Sequence, residues 1–410
     1  MKKTISVMTS LLLIAALLIG VTNCKEDEDV VFELSSLMAG DIDLNGATPA
    51  NTVPSNPTIT ANFTVDVDAA TVNAAVITLM RDYDDADMEL TITVAGKTIT
   101  IVPNEGLGNG ALYKLSFLAG IKATDGQALT AFDRTFTTVG NFVPDGVIAY
   151  WNFEDNADDQ VGTFDPAAAD VIDVTYVDSR NTNAGKAASF NGSTTLIEVP
   201  NGDDLMNTGD FTISFWVKTN SADKTSGHFV MGLAGWYGFQ YEIFGGYDGS
   251  KFAFRYELAD GTTASEDMWF PAMADLGWQG WTYAKSLTVE QMTALLKDNW
   301  LHNTYTYNAA TKIGTLYFNG EKMKSFDFNL WPAGDAKLGV VGLKYDGDPA
   351  GNHLAFGFIQ GRNNRTISDP WADYADVNNN HFKGMLDDVR IFHKTLTATE
   401  IDLMYQSEKP

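Results

Sequence analysis

The sequence predicts an all-β protein made of two successive sandwiches. Three observations point there. Short runs of alternating apolar and polar residues recur from about Phe32 onward, turn residues separate them, and the chain is rich in glycine and aromatics, with 36 Gly, 24 Phe, 15 Tyr and 9 Trp. Period-two alternation places one strand face on a core and the other in water, and aromatic side chains suit such a half-buried surface. At 410 residues the chain exceeds the ~250–300 residues a single core sustains, so more than one domain is expected.

The N-terminus is not part of either sandwich. Met1-Lys2-Lys3 precedes an apolar run from Leu11 to Ile19, and the only cysteine, Cys24, follows after Gly20-Val21-Thr22-Asn23. The run is shorter than the ~20 apolar residues a membrane span needs, and a basic start before it reads as a secretory signal over residues 1–23. The acidic stretch Lys25-Glu26-Asp27-Glu28-Asp29 excludes a buried helix and makes residues 24–31 a linker. This arrangement resembles a bacterial lipoprotein signal, although Val21 and Thr22-Asn23 fit the usual lipobox only loosely. The resemblance implies that Cys24 carries the lipid. The acidic patch is similar to the tag that exports lipoproteins to the outer-membrane surface of some Gram-negative bacteria. The expected location is therefore the outer membrane, lipid-anchored and facing outward.

Residues 32–139 form the first expected domain. Pro49, Pro54 and Pro57 mark loops and edges. Thr58 to Phe63 alternates, as does Glu89 to Val94, which turns at Ala95-Gly96 and returns as Lys97 to Val102. Leu90, Ile92 and Val94 share one face and the threonines the other, a half-buried hairpin. Tyr113–Phe117 and Arg134–Thr137 add strands, and about seven strands in this length match an immunoglobulin-like sandwich. Phe63–Val72, Leu112–Leu115 and Ile121–Leu129 resemble a bacterial Ig-like domain, which implies a spacer. Asp82, Asp84, Asp85 and Asp87 lack the glycine and terminal Glu of a calcium loop and read as a solvated turn. Gly106, Gly108 and Gly110 are turn residues, since no helix follows to make a phosphate loop.

Residues 146–410 form the second. Val147–Phe153 is an aromatic strand, and Phe211–Val217 is the clearest strand of the chain, with Phe211, Ile213, Phe215 and Val217 on one face and Thr212, Ser214, Trp216 and Lys218 on the other. Asn319-Gly320 marks a hairpin turn. Thr288 with Gln291, and Thr397 with Glu400, are capping pairs that open helices near 289–298 and 398 onward. Tyr150–Phe153, Ser189–Gly192, Phe211–Val217, Tyr317–Gly320 and Leu386–Ile391, in that order, resemble a LamG-like jelly roll of the concanavalin A-like superfamily. The aromatic-rich segment from Gly235 to Trp300 reads as a small, family-atypical insertion with one helix.

The chemistry is set by charge and by what is missing. With 27 Lys+Arg against 53 Asp+Glu the formal charge is −26, which argues against nucleic acid and against charge-driven docking on anionic lipid. The superfamily includes hydrolases and lyases. No Glu-x-Asp-x-x-Glu run occurs, Glu154–Asp159 lacks a second Glu, Arg255-Tyr256-Glu257 lacks marked partners, and His228, His302, His353, His381 and His393 show no metal spacing. A non-enzyme is expected. Calcium is the one cofactor suggested. The resemblance brings the first and last strands together, making Glu154, Asp159, Asp387 and Asp388 candidate ligands, because Asp387 lies in phase with apolar Val389 and Ile391 and a carboxylate there needs a partner. A salt bridge to Arg390 is the alternative. For carbohydrate, which stacks on aromatic rings, the loop Asn363–Tyr374 offers Trp371, Tyr374 and Arg365, with Trp236, Tyr237, Tyr247, Trp269, Trp278, Trp281 and Trp331 as further surfaces, unless these rings only anchor loops. The leading expectation is non-catalytic carbohydrate capture. An adhesin for a protein partner and a divergent polysaccharide-cleaving enzyme are the alternatives.

Overall fold

A computed structural model describes residues 30–271 and 281–410, and the chain divides into two compact units. The expected signal segment, Cys24 and Trp278 lie outside the described residues.

The first unit is a sandwich of two five-stranded sheets. One runs Ile42–Asp43, Leu34–Ala39, Ile59–Phe63, Thr98–Pro103, Leu90–Ala95, and the other Ala50–Val53, Phe132–Thr138, Leu112–Phe117, Ile77–Arg81, Ala86–Asp87. Ten strands appear where about seven were expected, because edge strands of two to four residues are too short to show alternation. The expected hairpin is present, with Ile92 opposite Ile101 and Val94 opposite Ile99. Leu37, Ile59, Ile101, Leu115 and Phe136 are fully buried between the sheets, and Phe117 stacks on Phe132 at 4.7 Å.

The second unit is a larger sandwich. Its nine-stranded sheet runs Thr175–Asp178, Lys186–Asn191, Lys383–Phe392, Phe211–Thr219, Trp300–Asn308, Ile313–Phe318, Glu321–Asp327, Trp281–Ala284, with Val147–Trp151 also paired to Lys383–Phe392. Its eight-stranded sheet runs Val171–Ile172, Leu196–Val199, Leu354–Phe356, His228–Leu233, Phe239–Ile243, Ser250–Leu258, Thr263–Phe270, with Val340–Leu343 on Ser250–Leu258. Phe211, Ile213, Phe215 and Val217 face inward as expected and meet Phe239, Tyr241, Phe252 and Phe254 of the opposite sheet in one core. Each such side chain contributes ~1.5–3 kcal/mol on burial. Asn319 and Gly320 both take positive φ, 51° and 77°, the two left-handed residues of a hairpin turn that asparagine and glycine adopt most cheaply.

The segment after Gly235 corrects an expectation. It is no insertion. Phe239–Ile243, Ser250–Leu258 and Thr263–Phe270 are three strands of the eight-stranded sheet, Trp281–Ala284 belongs to the other sheet, and Phe239, Tyr241, Phe252 and Phe254 line the inner face. Helix α1, Val289–Leu296, adds to the two layers, opened by the expected Thr288/Gln291 capping box. The C-terminal helix α2, Ala398–Glu408, opens on the expected Thr397/Glu400 box.

Candidate functional site

The outer face of the eight-stranded sheet carries the candidate site. Along Phe239–Ile243, Ser250–Leu258 and Thr263–Phe270, the residues between the core positions point outward: Gln240 and Glu242, Lys251 and Arg255, Asp267 and Trp269. Strand register aligns Phe229, Glu242, Lys251 and Trp269 in one row across four strands. The loop after Phe356 folds over one half of this face, where Phe358, Ile359, Ile367 and Ala372 pack with Leu196, Phe229 and Ala355. Buried Gln360 pins the loop, donating to the carbonyls of Ile367 (2.9 Å) and Ala372 (2.8 Å) and accepting from the Ile367 amide (3.0 Å).

An aromatic ladder stands where the loop ends. Trp371, 38% exposed on a short 3-10 turn that begins at Pro370, stacks on Trp236 with ring centroids 5.6 Å apart and planes 27° apart. Trp236 stacks in turn on Tyr237 at 5.9 Å and 28°. The sharp exit from His228–Leu233 positions these two rings. Ala234 and Gly235 both take positive φ, and a side chain on Gly235 would sit 2.6 Å from the Ile367 Cδ1. Glycine is what lets the turn and the loop approach each other.

Polar groups lie beside the rings. The Lys251 ammonium sits 3.4 Å from both Glu242 and Asp267 carboxylates and 4.9 Å over the Trp269 ring. Burial pushes the Glu242 carboxyl up, and the charge of Lys251 opposes that shift. The Arg255 guanidinium lies 5.5 Å from the Tyr237 ring centroid and is paired with Asp346, whose carboxyl is held down by hydrogen bonds from Thr263 and Arg255. This is an aromatic platform with hydroxyl-binding groups at its side, the pattern that holds a sugar ring by its C–H face.

The expected glycan residues fall apart into two roles. Trp371 joins the platform. Arg365 is held by Asp373 at 2.8 Å within the loop. Tyr374 packs edge-on against Phe358 and donates its hydroxyl to the Thr194 carbonyl, so it anchors the loop instead of facing solvent. Of the wider aromatic set, Trp236, Tyr237 and Trp269 reach the outer face, whereas Tyr247 and Trp331 are buried. Sequence reasoning passed over Glu242, Lys251 and Asp267. The alternation of Phe239-Gln240-Tyr241-Glu242-Ile243 was the available signal, obscured by reading the region as an insertion.

The expected calcium ligands are not brought together, which is a second correction. Asp159 accepts from the amides of Tyr150 (2.9 Å), Val161 (3.1 Å) and Phe164 (3.2 Å) and so ties its own loop. Glu154 accepts from the Lys186 amide at 3.0 Å. Asp387 and Asp388 instead enter a buried ionic network under α2. Arg180 meets Asp387 at 2.6 Å and also contacts Asp388, and Arg390 meets Asp388 at 3.1 Å and Glu408 at 2.8 Å. Asp387 is out of phase with Val389 because Asp388, at φ 47°, forms a bulge that shifts the register between Ser214 and Trp216. Among the described residues no group of three or more His, Cys, Asp or Glu is arranged to hold a metal ion.

Comparisons with known proteins agree with this architecture. A family model described as a bacterial Ig-like domain matches residues 42–138, and one described as the concanavalin A-like lectin/glucanases superfamily matches residues 191–350. No curated relative matches the chain. Solved structures similar to it include the binding domain of Paraclostridial Mosquitocidal Protein 1 (19% identity, 64% of this chain and 52% of that one, TM-score 0.40) and the Botulinum Neurotoxin Type G receptor binding domain (15%, 64% and 51%, 0.37). Another is domain 4 of AbnA, an extracellular arabinanase from Geobacillus stearothermophilus solved with arabinotriose (18%, 64% and 98%, 0.36). The chain spans about half the length of the two toxin binding domains. What the fold and the two family matches establish together is a bacterial Ig-like domain followed by a concanavalin A-like, lectin/glucanase-type sandwich.

Proposed function

We propose that the second domain binds carbohydrate without cleaving it, on the outer face of the eight-stranded sheet. The Trp371–Trp236–Tyr237 ladder carries this reading, because three roughly parallel, partly exposed rings beside carboxylate, ammonium and guanidinium groups suit a sugar better than a protein side chain. The Ig-like domain serves as a spacer, and lipid on Cys24 holds the protein at the outer surface of a Gram-negative bacterium. A glycan array probed with the purified protein tests the site. Wild type should be retained on at least one glycan, and Trp371→Ala or Trp236→Ala should weaken retention about tenfold or more, as expected for the loss of a stacking ring. No retention by wild type would favour the adhesin alternative, in which the same rings dock a protein.

One observation speaks to a hydrolase. Glu242, with its carboxyl pushed up, and Asp267 flank one point on the platform, as an acid and a nucleophile would. Lys251, however, fills the gap between them, where a glycosidic oxygen would have to lie. Incubation with a polysaccharide panel should release no reducing ends. Release that disappears in Glu242→Gln would replace the binding reading with a catalytic one.

A further inference from the structure

We propose that the platform takes an internal stretch of an uncharged polysaccharide, held by rings at two separated points, and rejects uronate-bearing and sulfated chains; this rests on the carbohydrate reading above. The first half follows from the register. Trp371 packs on Phe229 with centroids 6.1 Å apart, and Phe229 and Trp269 end the row Phe229, Glu242, Lys251, Trp269. Three interstrand spacings of ~4.8 Å separate those ends, so the backbone positions of Phe229, on which Trp371 packs, and of Trp269 stand ~14 Å apart. A single sugar ring does not bridge that distance. A chain crossing the strands does, with its ring faces on Trp371 and Trp269 and its hydroxyls over Glu242 and Lys251 between them.

The second half follows from charge. Recognition of carboxylate or sulfate uses a guanidinium or ammonium free to form paired, charge-assisted hydrogen bonds. Three cations beside the rings or in their loop are already matched: Arg255 by Asp346, Arg365 by Asp373, and Lys251 by both Glu242 and Asp267. Lys251 in the middle of the row is therefore shared by two carboxylates, Glu242 within the row and Asp267 beside it, in a chain of formal charge −26. Carboxylates accept hydrogen bonds from sugar hydroxyls and repel sugar anions.

Affinity electrophoresis of the full-length protein tests both halves. Gels contain β-glucan, xylan, arabinan or galactomannan as neutral probes, and polygalacturonate, alginate or heparin as anionic ones, at low ionic strength where charge effects are strongest. Thermal melts run alongside confirm that each variant is folded. At least one neutral polymer should retard wild type and no anionic one should. Trp269→Ala and Trp371→Ala should each weaken that retardation about tenfold. Removing the repulsion in Glu242→Gln/Asp267→Asn should raise affinity for the anionic polymers relative to wild type.

Retardation by an anionic polymer that Trp371→Ala abolishes would overturn the charge rule while upholding carbohydrate binding on this face. Neutral binding lost in Trp371→Ala and untouched in Trp269→Ala, or fully displaced by free monosaccharide, would overturn the two-point contact. Retardation by none of the polymers would overturn this proposal together with the reading it rests on.

Discussion

Two buried histidines show how single residues set the pH response. His302 is fully buried beneath Trp216, with its Nε2 at 2.8 Å from the Ser214 hydroxyl, and His228 accepts from the Lys383 amide on Nδ1, so its Nε2 donates to the Tyr247 hydroxyl at 2.9 Å. Burial pushes both down to about 3. The unfolded chain takes up these protons near pH 6.5 and the folded chain does not, so each histidine weakens the fold as pH drops from 6.5 towards 3. The slope approaches ~1.4 kcal/mol per pH unit for each. Asp387, raised by burial and by the charge of Asp388, works in the opposite direction, since its folded form holds a proton more tightly than the unfolded chain does. The histidine share is therefore read as a difference. Urea melts at pH 6.5 and pH 5 should show His302→Gln losing about 2 kcal/mol less than wild type across that interval, and equal losses would mean that His302 is not held neutral. None of this was legible in the sequence. Five scattered histidines excluded a metal motif, but only the fold places His302 under an indole and a helix.

At the scale of elements, what could be read locally was read correctly. The Thr288/Gln291 and Thr397/Glu400 boxes and the Asn319-Gly320 turn are decided by neighbours in sequence. What went wrong depended on distant partners. The phase of Asp387 was misjudged because the bulge at Asp388 leaves no mark in a run of alternating residues. Trp216 was correctly placed on the outer face of its strand, yet it is fully buried there, because α2 lies over it. Tyr405 stacks on its ring at 5.9 Å, Arg180 sits 4.6 Å over it, and its indole N–H donates to Glu408 at 2.8 Å. Arg180 and Glu408, which clamp the helix onto the sheet, drew no attention in the sequence because an isolated charge looks solvent-exposed. Removing one partner of a buried ion pair strands the others, typically costing ~3–5 kcal/mol. Glu408→Ala, which leaves Arg390, Arg180 and the Trp216 indole short of an acceptor, should lose stability on that scale in urea titration and change the near-ultraviolet dichroism of Trp216. A loss below about 1 kcal/mol would show that packing by Tyr405 and Met404, not the ions, holds α2 in place.

Across the whole molecule, the two sandwiches were legible because each repeats the same simple signal many times, alternation closed by turns, and errors at single strands do not alter the sum. The site was only half legible. Trp371 could be singled out from its loop, but the ladder joins it to Trp236 and Tyr237 more than a hundred residues earlier, and the acid–ammonium row depends on the register of four strands. The expected attachment draws on a different kind of information, a short linear signal that requires no fold. It also bears on the charge. A chain of formal charge −26 gains nothing from anionic headgroups, so electrostatics cannot hold it on a membrane. The proposed anchor assigns retention to acyl chains, each buried CH₂ contributing ~0.8 kcal/mol. That separates two outcomes cleanly. In the native host, wild type should stay with the membrane pellet through high-salt and carbonate washes and leave it only in detergent. Cys24→Ala should appear in the soluble or secreted fraction with its glycan retention intact, because Cys24 lies far in sequence from every residue of the platform. A Cys24→Ala protein that still pellets and resists salt would mean that something other than lipid on that cysteine attaches it.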